Sequence, residues 1–154
     1  MAQNIILRPA KQSDAKAITE VYIASRKAFV SFAPLMHSDE SVYQWIYDIL
    51  IPSELVTVVE QNGSIVGMMG LAKKNNIGWI EQLYLTPSAV GHGIGSLLVS
   101  AAKKTLHSPI RLHTFQENIH ARCFYERHGF RLLELYDGSA NEEHCPDALY
   151  EWSC

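Results

Sequence analysis

The chain has 154 residues, 47% hydrophobic and 19% charged, with a formal net charge of -3. Length and balance predict one globular domain over residues 1–154 with a sizeable core, and they exclude a disordered chain. The slight negative charge offers no bulk attraction to nucleic acid or to an anionic membrane, so neither is expected as a partner. No run approaches the roughly 18 apolar residues of a membrane span. The opening "MAQNIILRPAKQSD" lacks a secretory pattern, because its apolar run stops at Arg8-Pro9. Cys123, Cys145 and Cys154 are odd in number and irregularly spaced, which argues against a disulfide framework and against a zinc site. The expectation is a cytoplasmic protein with reduced thiols and no metal.

In chain order, "NIILRP" reads as a short strand ended by proline. Ser13 is the predicted cap of a helix whose apolar face carries Ala17, Ile18, Val21, Tyr22, Ala28 and Phe29. After the irregular "SFAPLMH", Ser38 caps a second helix with Val42, Trp45, Ile46, Ile49 and Leu50 at helical spacing. Past Pro52 the period changes: "LVTVVE", an Asn-Gly turn, "IVGMMGLA", a second turn and "IGWIEQLYL" read as an antiparallel meander. "IGSLLVSAAKKTL" is amphipathic and helical, with Lys103 and Lys104 in its last turns. "PIRLHTF" is a strand, and "NIHARCFYERH" is a helix stopped at His128-Gly129, with Ile119, Cys123 and Phe124 expected on its buried side. "FRLLELY" and "ALYEWS" are the last strands, separated by the polar loop "DGSANEEHCPD". The order βααβββαβαββ predicts an α/β protein with a mixed, mostly antiparallel sheet flanked by helices.

The loop "VGHGIG" precedes the third helix. A helix N-terminus leaves N–H groups unpaired and carries partial positive charge. Gly91, Gly93 and Gly95 remove the Cβ atoms that would hold an anion away from those donors. Neither a P-loop lysine nor the spacing of a dinucleotide fingerprint is present. Taken alone, the loop serves equally well as a structural turn.

The second segment, "NIHARCFYERHGF", carries Asn118, Ala121, Phe124, Tyr125, Gly129 and Phe130 at the spacing N-x-x-A-x-x-F-Y-x-x-x-G-F. It resembles the C-terminal motif of the GCN5-related N-acetyltransferase family. The glycine loop, lying a short way upstream, is similar to that family's pyrophosphate motif Arg/Gln-x-x-Gly-x-Gly/Ala, with Val90 in place of the usual Arg or Gln. "LRPAKQSDAKAI" is similar to its common opening.

The resemblance implies acetyl-CoA as co-substrate, a bulged strand before the glycine loop, and a gap between that strand and the next for the pantetheine arm. It implies that backbone groups of Leu83 and Leu85 pair with the pantetheine, the Leu85 N–H also facing the thioester carbonyl. The backbone of Gly91, His92, Gly93, Ile94, Gly95 and Ser96 would hold the pyrophosphate. Tyr125 takes the general-acid position, although a tyrosine beside Phe124 is also ordinary core. Glu81 is a candidate base, with His113 or a water relay as rivals, and an exposed strand carboxylate is a common sight. Asn118 can bind pantetheine, cap its helix, or both. Arg122 and Arg127 are candidates for the CoA phosphates or plain solvated cations.

The acceptor is expected to meet the two irregular regions, where Phe29, Phe32, Trp45, Trp79, Glu142 and Glu143 suit a cationic amine. A small-molecule amine is the first reading; a protein amine, a non-catalytic acyl-CoA-binding domain and a nucleotide-binding module are the rivals. A homodimer through the last strands is a further implication of the resemblance.

Overall fold

The computed structural model describes residues 4–107 and 109–154. A seven-stranded sheet runs through them, built from β1 (Ile5–Pro9), β2 (Leu55–Gln61), β3 (Ser64–Lys74), β4 (Ile77–Leu85), β5 (Ile110–Phe115), β6 (Arg131–Tyr136) and β7 (Asp147–Trp152), in the order β1-β2-β3-β4-β5-β7-β6. Every neighbouring pair is antiparallel except β4 and β5. The helices are α1 (Ala15–Phe29), α2 (Asp39–Trp45), α3 (Ile94–Leu106) and α4 (Ile119–Arg127). The expected element order and fold class hold. Among the described residues no helix is long and apolar enough to cross a membrane.

Two apolar layers sandwich the sheet. On one face α3 buries Ile94, Leu98, Val99, Ala102 and Leu106 against Met69, Leu71, Ile80, Leu112 and Tyr150. On the other, Ile18 of α1 and Val42 of α2 pack on Val56, Val58 and Met68. Adjacent Met68 and Met69 thus serve opposite cores, as the period-2 pleat requires. Asn62 and Gly63 both take positive φ (53° and 86°), so the β2–β3 hairpin is a tight turn of the mirror-image kind its sequence demands.

Local details correct three expectations. Helix α1 is opened by Asp14, not Ser13: its carboxylate accepts the Lys11 N–H at 2.8 Å and is gripped by the Arg8 guanidinium at 2.9 and 3.0 Å. The carboxylate thereby closes the short turn Gln12–Asp14 that leads into α1, and it caps no amide of α1 itself. Ser38 does cap α2, accepting from the Ser41 N–H. That helix then widens into a π turn at Ile46–Leu50 before a last turn at Ile51–Ser53, because Pro52 has no N–H to offer the Asp48 carbonyl. In α4, Ile119 and Cys123 are exposed, and the buried side is carried by Tyr125 with Ala121 and Phe124 beside it. Ala28 and Phe29 likewise fall on the open side of α1's last turn.

Candidate active site

β4 is the axis of the site. Its pairing with β3 shifts register between Gly70↔Gln82 and Leu71↔Ile80, leaving Glu81 as the extra residue of a bulge. Its parallel pairing with β5 is confined to Gly78↔Ile110 and Trp79↔Arg111, after which the strands part. The Thr86 N–H bonds the Val66 carbonyl at 2.8 Å, which fixes the alternation along this stretch of ladder. Gln82 and Tyr84 therefore turn their backbone groups toward β3, while Leu83 and Leu85 turn theirs toward the gap.

The glycine turn closes one end of that gap. Gly91 and Gly93 take φ of 87° and 81°, a conformation L side chains rarely adopt, and a Cβ at either would point into open space. Gly93 is the residue before α3, and its carbonyl accepts the first helical bond from Leu97 at 3.1 Å. The N–H groups of Ile94, Gly95 and Ser96 thus have no partner within the helix and point out of its N-terminus. Ile94's side chain is wholly buried, so only its amide can serve a ligand, and His92 and Val90 turn outward. Gly95 answers to packing: a Cβ there would lie 3.1 Å from the Phe124 ring. The two sequence motifs therefore touch one another through Gly95 and Phe124.

A cleft of about 720 Å³ opens along β4 on its α1/α2 side. Glu81, Leu83, His113, Asn118 and Tyr125 all line it. Tyr125 is nearly buried, with its ring edge-on to Phe124 and Phe130. That burial drives its hydroxyl well above the ordinary tyrosine range, so it keeps its proton throughout neutral pH. Glu81 is half-buried and accepts from Lys74 Nζ at 2.8 Å. The bond holds Lys74 above the usual lysine range. His113 is exposed at the rim, stacked on Trp79 with ring centres 5.4 Å apart. Asn118 caps α4, its side-chain oxygen accepting the Ala121 N–H.

The arginines divide. Arg122 is committed to the Tyr150 hydroxyl at 3.0 Å and the Gln116 carbonyl, an internal strut rather than a free phosphate ligand. Arg127 is exposed on the last turn of α4.

The two irregular regions face each other across the cleft, where side chains from them pair with one another or with α1. His37 Nε2 lies 2.9 Å from a Glu142 oxygen, and the buried Arg26 lies 3.8 Å from Glu143. Arg26 also donates to the Tyr22 hydroxyl and the Pro34 carbonyl. Trp45, Glu142 and Glu143 line the cleft; Phe32 stands behind Phe115, and Trp79 behind His113, while Phe29 is exposed. Sequence reasoning passed over Tyr22, Arg26, Gln82, Tyr84 and Asp147, all of which line the cleft. Tyr84 carried the one legible signal, since the meander's pleat alternates it with Leu83 and Leu85.

The sequence profile of the Acetyltransferase (GNAT) family matches residues 18–130. The peptidyl-lysine N-acetyltransferase YiaC of Escherichia coli (strain K12) is 22% identical over 147 residues, covering 96% of each chain. Among solved structures, the PaiA N-acetyltransferase of Thermoplasma acidophilum in complex with coenzyme A is similar with a TM-score of 0.76 and 21% identity, over 98% of this chain and 99% of that one. A GCN5-related N-acetyltransferase of Rhodopseudomonas palustris is similar with a TM-score of 0.78 and 21% identity, over 100% and 99%. These structures share the fold of this chain, and with the profile matching well over half of its length the chain belongs to the GNAT acetyltransferase family.

Proposed function

We propose that this protein transfers the acetyl group of acetyl-CoA to a primary amine by direct attack within a ternary complex. The observation that carries this reading is the gap between β4 and β5, which runs from the Leu83 and Leu85 backbone to the open turn at Gly91–Ser96. That cradle fits the cofactor: a row of strand amides suits the pantetheine amides, and helix N-terminal amides suit a diphosphate. Because backbone groups supply the grip, Val90 in place of Arg or Gln weakens binding without abolishing it. Acetyl-CoA supplies an activated thioester; the chain orients it and manages charge.

In this reading the Leu85 N–H faces the carbonyl oxygen as it becomes negative. Tyr125, held protonated by burial, hydrogen-bonds the departing sulfur and protonates it. Glu81, at the bulge, takes the ammonium proton so that a neutral amine attacks, directly or through water. Asn118 holds the pantetheine while capping α4.

The acceptor we favour is a small cationic amine, because Glu142 and Glu143 meet His37 and Arg26 across the entrance and narrow it. A second reading, a lysine side chain of a protein, is supported by the YiaC relative. A cytoplasmic location suits both acceptors, and a homodimer would cover the exposed Leu132, Leu133 and Leu135 of β6.

The test is calorimetric titration with acetyl-CoA, with ATP and NAD as controls, followed by mass spectrometry of a panel of small amines and lysine peptides. Selective acetyl-CoA binding with acetylated small amines is the expected result. Acetylation of peptides alone would replace the small-molecule acceptor. Absence of binding by the folded protein would overturn the enzyme reading.

A further inference from the structure

The turn at the N-terminus of α3 has a neighbour that the proposed reaction does not use. Ser96, in the first turn of α3, has its hydroxyl oxygen 3.0 Å from Nε2 of His128, which follows α4. His128 is held by both its main chain and its ring. The ring packs on Phe124 at 4.6 Å between centres, the backbone carbonyl accepts from Lys103 Nζ at 2.7 Å, and the backbone N–H donates to the Tyr125 carbonyl at 3.0 Å. Lys103 is itself steadied over the Trp152 ring at 4.7 Å. A ring so fixed can hold Ser96 in one rotamer.

The charged groups acting on the ring are Lys103 from α3 and Arg127 from its own helix, both cations. Burial first, then these two charges, push the imidazole below its usual range. At neutral pH the free protein therefore holds a neutral ring, whose Nε2 can accept the Ser96 hydroxyl proton.

We propose that His128 is a positioning residue for the cofactor's diphosphate, acting through Ser96 and taking up a proton as the anion arrives. The inference rests on Gly91–Ser96 being the diphosphate turn. When a phosphate oxygen arrives, the Ser96 hydroxyl turns to donate to it. Nε2 then loses its donor, takes one proton from solvent, and donates in turn to the Ser96 oxygen. The new cation stands one side chain behind a diphosphate, and the chain anion–hydroxyl–imidazolium has every donor matched to an acceptor. The balance is one proton gained from buffer per anion bound, with no covalent change.

The test uses dephospho-CoA, whose diphosphate stays fully ionised near neutral pH, so any proton taken up comes to the protein. Calorimetric titrations near pH 7 in two buffers of different ionisation enthalpy read the number of protons. The wild type is expected to take up a substantial fraction of one proton, and its Kd is expected to rise roughly three- to tenfold from pH 6 to pH 8, as an average uptake of about a quarter to half a proton over that range gives. His128→Asn, whose amide can still hold Ser96, is expected to bind with no uptake and a flat pH dependence. Ser96→Ala keeps the imidazole and is expected to cut the uptake by at least half. Unchanged uptake in His128→Asn or in Ser96→Ala would overturn the proposal. Wild-type binding without uptake would overturn it while leaving the cofactor site intact, and no binding of acetyl-CoA or dephospho-CoA would remove the site itself.

Discussion

Tyr125 shows how a single side chain acquires a role from its surroundings. In an exposed position its phenol would be an ordinary surface group; here the Phe124 and Phe130 rings bury it, and the loss of solvation raises its affinity for its proton. A phenol is protonated at neutral pH in either setting; what the packing adds is a fixed position from which the hydroxyl can donate. Tyr125→Phe keeps the ring packing and removes only the hydroxyl, so acetyl-CoA affinity is expected to hold within about twofold while kcat falls roughly 10²–10⁴-fold, the usual weight of a positioned acid. Steady-state turnover set beside calorimetric Kd checks this, and normal turnover would move the acid elsewhere. Glu81 gains its place differently: being the surplus residue of a bulge, it is re-aimed into the cleft, and the Lys74 ammonium fixes its carboxylate.

At the scale of elements, the glycine turn and the bulged strand each demand particular residues. Gly93 precedes α3 at φ 81°, where a β-branched side chain is strained whatever space is available. Gly93→Val is expected to distort the amide fan and weaken acetyl-CoA binding at least tenfold, about 1.4 kcal/mol, with a measurable loss of thermal stability. Equal Kd values for the two proteins would show that the turn is not the anchor. On β3, Gly70 lies opposite the bulge, and its missing Cβ leaves room for Glu54, whose Oε1 would come within 2.8 Å of such an atom. That oxygen is buried and has no hydrogen-bond partner. Burial, and the Glu81 charge after it, raise the Glu54 carboxyl above its usual range. A carboxyl raised on folding binds its proton more tightly in the folded chain. Its ionisation therefore costs stability as pH climbs through the unfolded and then the folded value. Glu54→Gln should raise Tm at pH 7 by about 2–4 °C if the removed charge is worth about 1 kcal/mol, and the gain should shrink at acid pH where both carboxyls are protonated. A gain equally large at low pH would point to packing instead of charge.

At the scale of the molecule, one sheet separates two cores and holds the cleft where it splits. The α3 core lies under the glycine turn, so the open amides there stand on a helix whose Ile94, Leu98, Val99 and Ala102 are fully buried. Across the cleft, His37 meets Glu142, and Arg26 in the last turn of α1 meets Glu143. At the far edge, β6 presents Leu132, Leu133 and Leu135 to solvent at 41%, 49% and 53% exposure, more apolar surface than an edge strand usually leaves open. In the homodimer reading, sedimentation equilibrium should give a dimer that Leu135→Lys converts to a monomer. A wild-type monomer at high concentration would end that reading.

The sequence by itself determined the order of elements, because helical and strand periods are local and Asn62-Gly63, Pro52 and His128-Gly129 punctuate them. It determined the pairing of the glycine loop with "NIHARCFYERHGF" as well, since both motifs carry their spacing in the chain. The tertiary structure alone decided which groups meet. Cys123 looks like core at its helical spacing but faces solvent, because the sheet takes the Tyr125 side of α4. Arg122 looks like a phosphate ligand but is held by Tyr150, a residue 28 positions away. Ser96 and His128 lie 32 positions apart with no shared local pattern. Contacts across such distances depend on how strands splay and helices dock, and no local period encodes that.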